Sequence, residues 1–155
     1  MKTVPSIRLP IIRDKDIANE ILSEITANKK VVIFGVPGAF TPTCSEKHVP
    51  SFIDLSDQLK KKGVDDIYCV SVNDAFVMKS WLSSFLKGNV INGIADGNAD
   101  FAKAMELTID YSRGFMGLRC KRFALIAEQN NILKLFVEEK GQYSVSSAEY
   151  ILSQL

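Results

Sequence analysis

The feature that most constrains the fold is Val31-Val32-Ile33-Phe34, an unbroken apolar run set between Lys29-Lys30 and Gly35. A strand with one wet face alternates apolar and polar residues. A run without alternation therefore predicts burial on both faces, as in a central parallel strand. A turn-rich segment follows, Gly35-Val36-Pro37-Gly38-Ala39-Phe40-Thr41-Pro42-Thr43. Then comes a helical pattern, with Val49, Phe52, Leu55 and Leu59 recurring at helical spacing and Gly63 beyond its end.

The rest of the chain repeats this alternation. Asp66 to Val72 reads as a second strand, and Asp74 is placed to cap a helix over Ala75–Leu86 with Val77, Trp81 and Phe85 as its stripe and Gly88 as its stop. Asp96 to Asp100 is loop-like, and Ala99 to Leu107 reads as a short helix. Arg122–Ala127 and Ile132–Val137 flank Glu128-Gln129-Asn130-Asn131, a hairpin signal. Ser146 or Ser147 caps a last helix reaching Leu155, with Ile151 and Leu155 facing inward. Strand–helix–strand–helix, then hairpin and helix, predicts an α/β, thioredoxin-like fold: a central mixed sheet flanked by helices. No repeat, low-complexity tract or linker interrupts residues 1–155, and 46% hydrophobic content suits one domain with a sizeable core.

Charge excludes several function classes. Charged residues make up 24% and nearly cancel, leaving +1, so nothing favours nucleic acid or an anionic membrane as partner. The densest basic run, Lys60-Lys61-Lys62, reads as the solvated end of a helix. No apolar stretch approaches the ~20 residues needed to span a bilayer. Met1 to Pro10 lacks the apolar run of a secretory signal, so the expected compartment is the cytoplasm.

The three cysteines, Cys44, Cys69 and Cys120, form an odd, irregular set, which fits a reducing compartment rather than a disulfide framework. No Cys-x-x-Cys occurs and His48 is the only histidine, so neither a metal site nor a cofactor is expected. Cys44 has the special setting. Thr41 can cap the helix with Pro42 at its first position, and Thr43 with Glu46 offers a competing capping box. Either way Cys44 falls in the first turn, where free N–H groups and the positive end of the helix dipole collect. That place favours the thiolate, which is the reactive form of a cysteine. Packing as a small hydrophobe is the bland alternative, and Pro37, Thr41 and Pro42 make it the poorer one. His48, four residues after Cys44, shares its helical face and invites a Cys–His hydrolase reading. A base in such a dyad normally comes from a separate element, so a structural role on the helix face, with a minor influence on the site, is the better expectation.

Pro37-x-x-x-Thr41-x-x-Cys44 resembles the active-site pattern of peroxiredoxins, and the string from Gly35 to Ser45 resembles their type II, or atypical, branch. Val70-Ser71-Val72-Asn73-Asp74 with Phe76-Val77-Met78, Ile94-Ala95-Asp96-Gly97 and Lys121-Arg122-Phe123-Ala124-Leu125 extend the similarity from about Pro5 to Leu155. The resemblance implies a thiol peroxidase in which Cys44 attacks hydrogen peroxide or an alkyl hydroperoxide and becomes a sulfenic acid. It also implies that Thr41 hydrogen-bonds the peroxide, Arg122 supplies a cation to the sulfur and the O–O bond, and Pro37 shields the sulfur. On residue type alone Arg113 and Arg119 compete with Arg122. A homodimer through loops near the site is implied as well.

Turnover needs a second thiol. Val145 stands where one group of atypical members has a C-terminal resolving cysteine, so that route is absent. Cys69 matches the resolving position of plant-like members, yet its alternation with Ile67 and Ser71 reads equally as burial. Bridging would require the start of the Cys44 helix to unwind. Cys120 shares a face with Arg122 if the strand extends that far, which would bring it near the site. An external thiol (glutathione, glutaredoxin or thioredoxin) ranks with Cys69, and Cys120 third. The competing function is a non-catalytic thioredoxin-fold interaction module. A disulfide oxidoreductase lacks its second cysteine in Cys44-Ser45-Glu46-Lys47.

Overall fold

Backbone pairing puts the uninterrupted apolar run in the interior of a seven-stranded sheet. In chain order, the computed structural model, which describes residues 2–155, contains β1 (Arg8–Arg13), β2 (Asp16–Ile21), α1 (Leu22–Ile25), β3 (Lys30–Gly35), α2 (Val49–Asp54) and α3 (Ser56–Lys61). There follow β4 (Asp66–Ser71), α4 (Ala75–Ser83), β5 (Asn92–Ala95), α5 (Asp100–Ala104), β6 (Thr108–Asp110), β7 (Leu118–Cys120), β8 (Phe123–Glu128), β9 (Asn131–Val137) and α6 (Ala148–Ser153). The sheet order is β2-β1-β5-β4-β3-β8-β9, and β6 and β7 form a separate two-stranded sheet. β3 runs parallel to β4 and antiparallel to β8, and β4 runs parallel to β5, so the sheet is mixed.

The absence of alternation in β3 has the expected cause. Val32 and Phe34, with Val36 just beyond, pack on one side with Phe52, Trp81 and Ile151. Val31 and Ile33 pack on the other with Tyr68, Phe101 and Phe123. Each such side chain, fully buried, contributes roughly 1.5–3 kcal/mol. Because side chains alternate along strands, the two faces sort the rest of the sheet too. Ile67 and Cys69 of β4 face the Phe34 side, while Cys120 lies in the Phe123 cluster.

Several expectations shift. The helix after Cys44 is not continuous: Cys44–His48 winds as a π segment, α2 follows, and a turn at Leu55 separates α3. Pro50 has no N–H for the Glu46 carbonyl and its ring crowds that oxygen, so the turn ahead of it widens. Asp74 does cap α4, accepting from Val77 N–H at 2.9 Å, but α4 ends at Ser83 and buries Met78, Trp81 and Leu82 instead of a Val77 stripe. Lys87 takes the left-handed conformation there. Gly88 is needed because a Cβ would stand 2.0 Å from the Leu82 carbonyl oxygen. The helix expected to Leu107 stops at Ala104.

The β8–β9 hairpin closes through Gln129 and Asn130, both at positive φ, as a type I′ turn requires. Ser147, rather than Ser146, caps α6 by accepting from Tyr150 N–H. The hairpin of β1 and β2 and the small β6–β7 sheet carry no strong sequence signal. Pro10 argues against a strand, but it lies just outside the short stretch, Ile11 and Ile12, that pairs with β5.

At the end of β3, an added Cβ on Gly35 would sit 2.1 Å from the ring of the fully buried Phe123. Gly35→Ala is therefore expected to destabilise the fold by ~1–3 kcal/mol through overpacking. Urea titration should show a lower midpoint at unchanged slope.

Candidate active site

The loop from β3 delivers Cys44 into the first helical turn. Phe40 is held at φ 64°, Thr41 N–H donates to the Gly38 carbonyl, and the Thr41 carbonyl accepts from Ser45 N–H at 3.0 Å. Pro42 thus starts the helix as expected. Neither expected side-chain cap forms. Thr43 makes no cap bond, and the Thr41 hydroxyl donates to the Gly38 carbonyl oxygen at 2.6 Å. With its proton committed there, the Thr41 oxygen keeps lone pairs free to accept. The N–H groups of Thr43 and Cys44 have no carbonyl one turn back inside the helix, so they remain donors for an incoming oxygen. Next to Cys44, the Ser45 hydroxyl accepts from Trp81 Nε1 at 2.9 Å and ties the turn to α4.

Arg122, between β7 and β8, meets Cys44 across this start. Its Nη2 donates to Cys44 Sγ at 3.2 Å and its Nη1 to His48 Nδ1 at 2.8 Å. His48 Nε2 lies 2.8 Å from the Ser146 carbonyl oxygen. A guanidinium can only donate and a carbonyl can only accept, so His48 must be neutral, with its proton on Nε2. Its surroundings enforce that. Burial, helped by the Arg122 charge and opposed by the Ser146 carbonyl, pushes its pKa from an ordinary 6.5 down to about 3. Phe34 and Tyr143 flank the imidazole at 4.7 and 5.2 Å between centroids, and the Arg122 guanidinium lies 5.9 Å from the Tyr143 ring centre.

Cys44 itself is fully buried. Beside it opens a cleft of ≈ 260 Å³ lined by Pro37, Thr43, Tyr111, Lys121, Arg122 and Glu139, among others. Pro37 and Arg122 therefore share one opening, and Thr41, Cys44 and Arg122 converge on one end of the sheet. The competing arginines are elsewhere. Arg119 is committed to the carbonyls of Met116 and Val72, and Arg113 is exposed on a turn.

The other cysteines fare differently. Cys69 lies on the Cys44 side of the sheet, wholly buried, and burial, with a smaller contribution from Cys44, pushes its thiol well above the ordinary range. The condition for Cys120 to approach Arg122, a strand reaching that far, is not met. β7 belongs to the separate small sheet, the chain leaves strand conformation at Lys121-Arg122, and Cys120 packs on the opposite face. Its thiol too is raised by burial. All three cysteines are unbridged. His48, expected to have a structural role with a minor influence on the site, is the acceptor for Arg122 Nη1. Ser146 and Tyr143 complete the setting without any local sequence signal. Among the described residues no cluster could hold a metal ion, and no helix is long and apolar enough to cross a membrane.

Comparison with known proteins places this geometry in context. A family model described as Redoxin matches residues 2–152. Peroxiredoxin-2C of Oryza sativa subsp. japonica is 51% identical over 131 residues, covering 84% of this chain and 81% of that protein. Reduced Prx3 of Vibrio vulnificus in complex with H2O2 superposes with a TM-score of 0.93 at 46% identity, over 99% of this chain and 96% of that one. The antioxidant protein of Plasmodium falciparum, described as a 1-Cys peroxiredoxin, superposes at 0.86 and 33% identity, over 97% and 94% of the two chains. The thioredoxin-like fold expected from element order is the fold of these structures.

A depressed histidine pKa fixes a sign for acid stability. The unfolded chain binds this proton below about 6.5, whereas the folded chain resists it to about 3. The contribution of neutral His48 is thus complete above that window and lost as pH falls through it. The drop in urea midpoint between pH 7 and pH 4 should be smaller in His48→Phe than in the unaltered protein.

Proposed function

The chain belongs to the peroxiredoxin family and is a thiol-dependent peroxidase, and from that premise we propose that Cys44 is its peroxidatic nucleophile. The observation that carries the assignment is the 3.2 Å bond from Arg122 Nη2 to Cys44 Sγ at a helix start. The Cys44 thiolate attacks one peroxide oxygen. A sulfur–oxygen bond forms as the O–O bond breaks, and the leaving oxygen departs with the electron pair and takes a proton as water or alcohol. Negative charge moves from sulfur to that oxygen during the step. Arg122 and the N–H groups of Thr43 and Cys44 stabilise it more in the transition state than before it. Thr41 Oγ1, whose proton goes to Gly38, accepts the peroxide hydroxyl and aims it. Pro37 covers the sulfur from bulk water.

Hydroperoxides and thiol reductants are the substrates of the family. For this chain the resolving step is assigned to an external thiol. Glutathione, glutaredoxin or thioredoxin attacks the sulfenic sulfur, releases water and leaves a mixed disulfide that a second thiol reduces. An attacking thiol must present its thiolate, and burial holds the Cys69 thiol protonated. Cys69 remains the second reading because it faces the same side of the sheet as Cys44. A homodimer fits the exposed apolar side chains of Phe40, Phe76, Phe115 and Leu118. Phe40 and Phe115 sit on turns, Phe76 in the first turn of α4 and Leu118 at the start of β7, and bonds from Ala39 N–H to Asn73 and from Arg119 to Val72 and Met116 tie these segments together. The reducing chemistry required agrees with a cytoplasmic setting.

Stopped-flow oxidation of reduced protein, with mass spectrometry of the product, tests the assignment: one oxygen should appear on Cys44, and Cys44→Ser should be inert. Unaltered, Cys69→Ser and Cys120→Ser proteins turned over with each reductant should all retain activity. Loss confined to Cys69→Ser would transfer the resolving step to that residue. Arg122→Ala should lower the rate constant for peroxide by ~10²–10³, the size seen when a transition-state donor is removed.

A further inference from the structure

Glu138 follows β9 directly and is 7% exposed, a carboxylate sunk beside the site yet in no ion pair among the described residues. A buried carboxylate is strongly unfavourable unless donors satisfy it. Here they do. Ser144 N–H reaches Oε2 at 2.5 Å, Ser146 N–H at 2.9 Å and the Ser146 hydroxyl at 2.8 Å. Burial alone would raise its pKa, but these bonds from Ser144 and Ser146 prevail and hold it below the usual range.

The same residue grips the site from two directions. Through its carboxylate it sets Ser146, whose carbonyl receives the His48 Nε2 proton. Through its main chain it sets Arg122, whose carbonyl accepts from Glu138 N–H at 2.9 Å. We propose that Glu138 is a positioning residue for the peroxidase reaction, fixing His48 in the Nε2–H tautomer so that Nδ1 can hold the Arg122 guanidinium on Cys44. The inference rests on the assignment of Cys44 as nucleophile.

The arrangement answers a physical problem. A guanidinium must be held in place without losing its charge to the group that holds it. A carboxylate placed directly on Arg122 would anchor it and largely cancel the field at the sulfur. A neutral imidazole anchors it and leaves the charge whole. Imidazole, however, has two tautomers, and only one offers Nδ1 as an acceptor. Something rigid must present a carbonyl to Nε2. Glu138 makes the loop at residues 144–146 rigid while its own charge is absorbed by serine donors, two groups removed from the guanidinium.

His48 is the only histidine in the chain, so ¹⁵N-histidine spectra of the full protein report its tautomer directly. In reduced unaltered protein the Nε2–H form should dominate. In Glu138→Ala the two tautomers should mix, and the rate constant with hydrogen peroxide should fall by ~10–100-fold, as when groups supporting first-contact residues are lost elsewhere. Glu138→Gln, which keeps an acceptor oxygen, should recover part of both. In a His48→Phe background, Glu138→Ala should cost no further rate. A single Nε2–H tautomer with an unchanged rate in either Glu138 variant would overturn the proposal. So would a loss that adds in full to that of His48→Phe. Should Glu138→Ala not fold, the Gln variant decides by the same two readings. Failure of unaltered Cys44 to react would instead sink the nucleophile assignment, so the two failures are distinct.

Discussion

The site depends on a cation that is anchored but not neutralised. Arg122 donates to Cys44 Sγ through one nitrogen and to a neutral imidazole through the other. Among the described residues no carboxylate pairs with it. In a buried setting of low effective dielectric, an unquenched guanidinium acts on a neighbouring sulfur far more strongly than it would in water. Each further feature protects that condition. Phe34, Phe52 and Tyr143 pack about the imidazole and keep it dry, and its depressed pKa prevents it from becoming a second, repelling cation.

The fold supplies this by bringing distant segments together at one end of the sheet. β3 leads into the Cys44 turn, and the chain before β8 carries Arg122. β3 and β8 are neighbours in register, Gly35 opposite Phe123, so the residues just beyond each strand end are forced side by side. Gly35 lets the Phe123 ring pass at a distance no side chain would permit. The widened helical turn at Cys44–His48 carries both Cys44 and His48, and Arg122 bonds to each of them.

The three cysteines show how burial and sheet face divide chemistry among identical residues. Cys44 has a cation and free donors beside a cleft. Cys69 is buried in the apolar cluster on the same face, and Cys120 is buried on the other. Desolvation raises the thiols of Cys69 and Cys120, which disfavours their thiolate forms.

Local patterns in the sequence determined a good deal. The unbroken run at Val31–Phe34 specified a doubly buried strand, Asp74 a helix cap, Gln129-Asn130 a tight hairpin, and Pro42 the helix start just ahead of Cys44, because each depends on neighbours within a few residues. Tertiary structure alone decided the rest. The outcome for Cys120 turned on which sheet face its strand presents. The part played by His48 turned on Arg122 and Ser146, which are 74 and 98 residues away. Glu138 carries no pattern at all, since its bonds run to a loop whose position is set by packing. Spacing along a chain encodes helix faces and strand alternation, but a hydrogen-bond network assembled from several separate segments exists only once the sheet has brought their ends together.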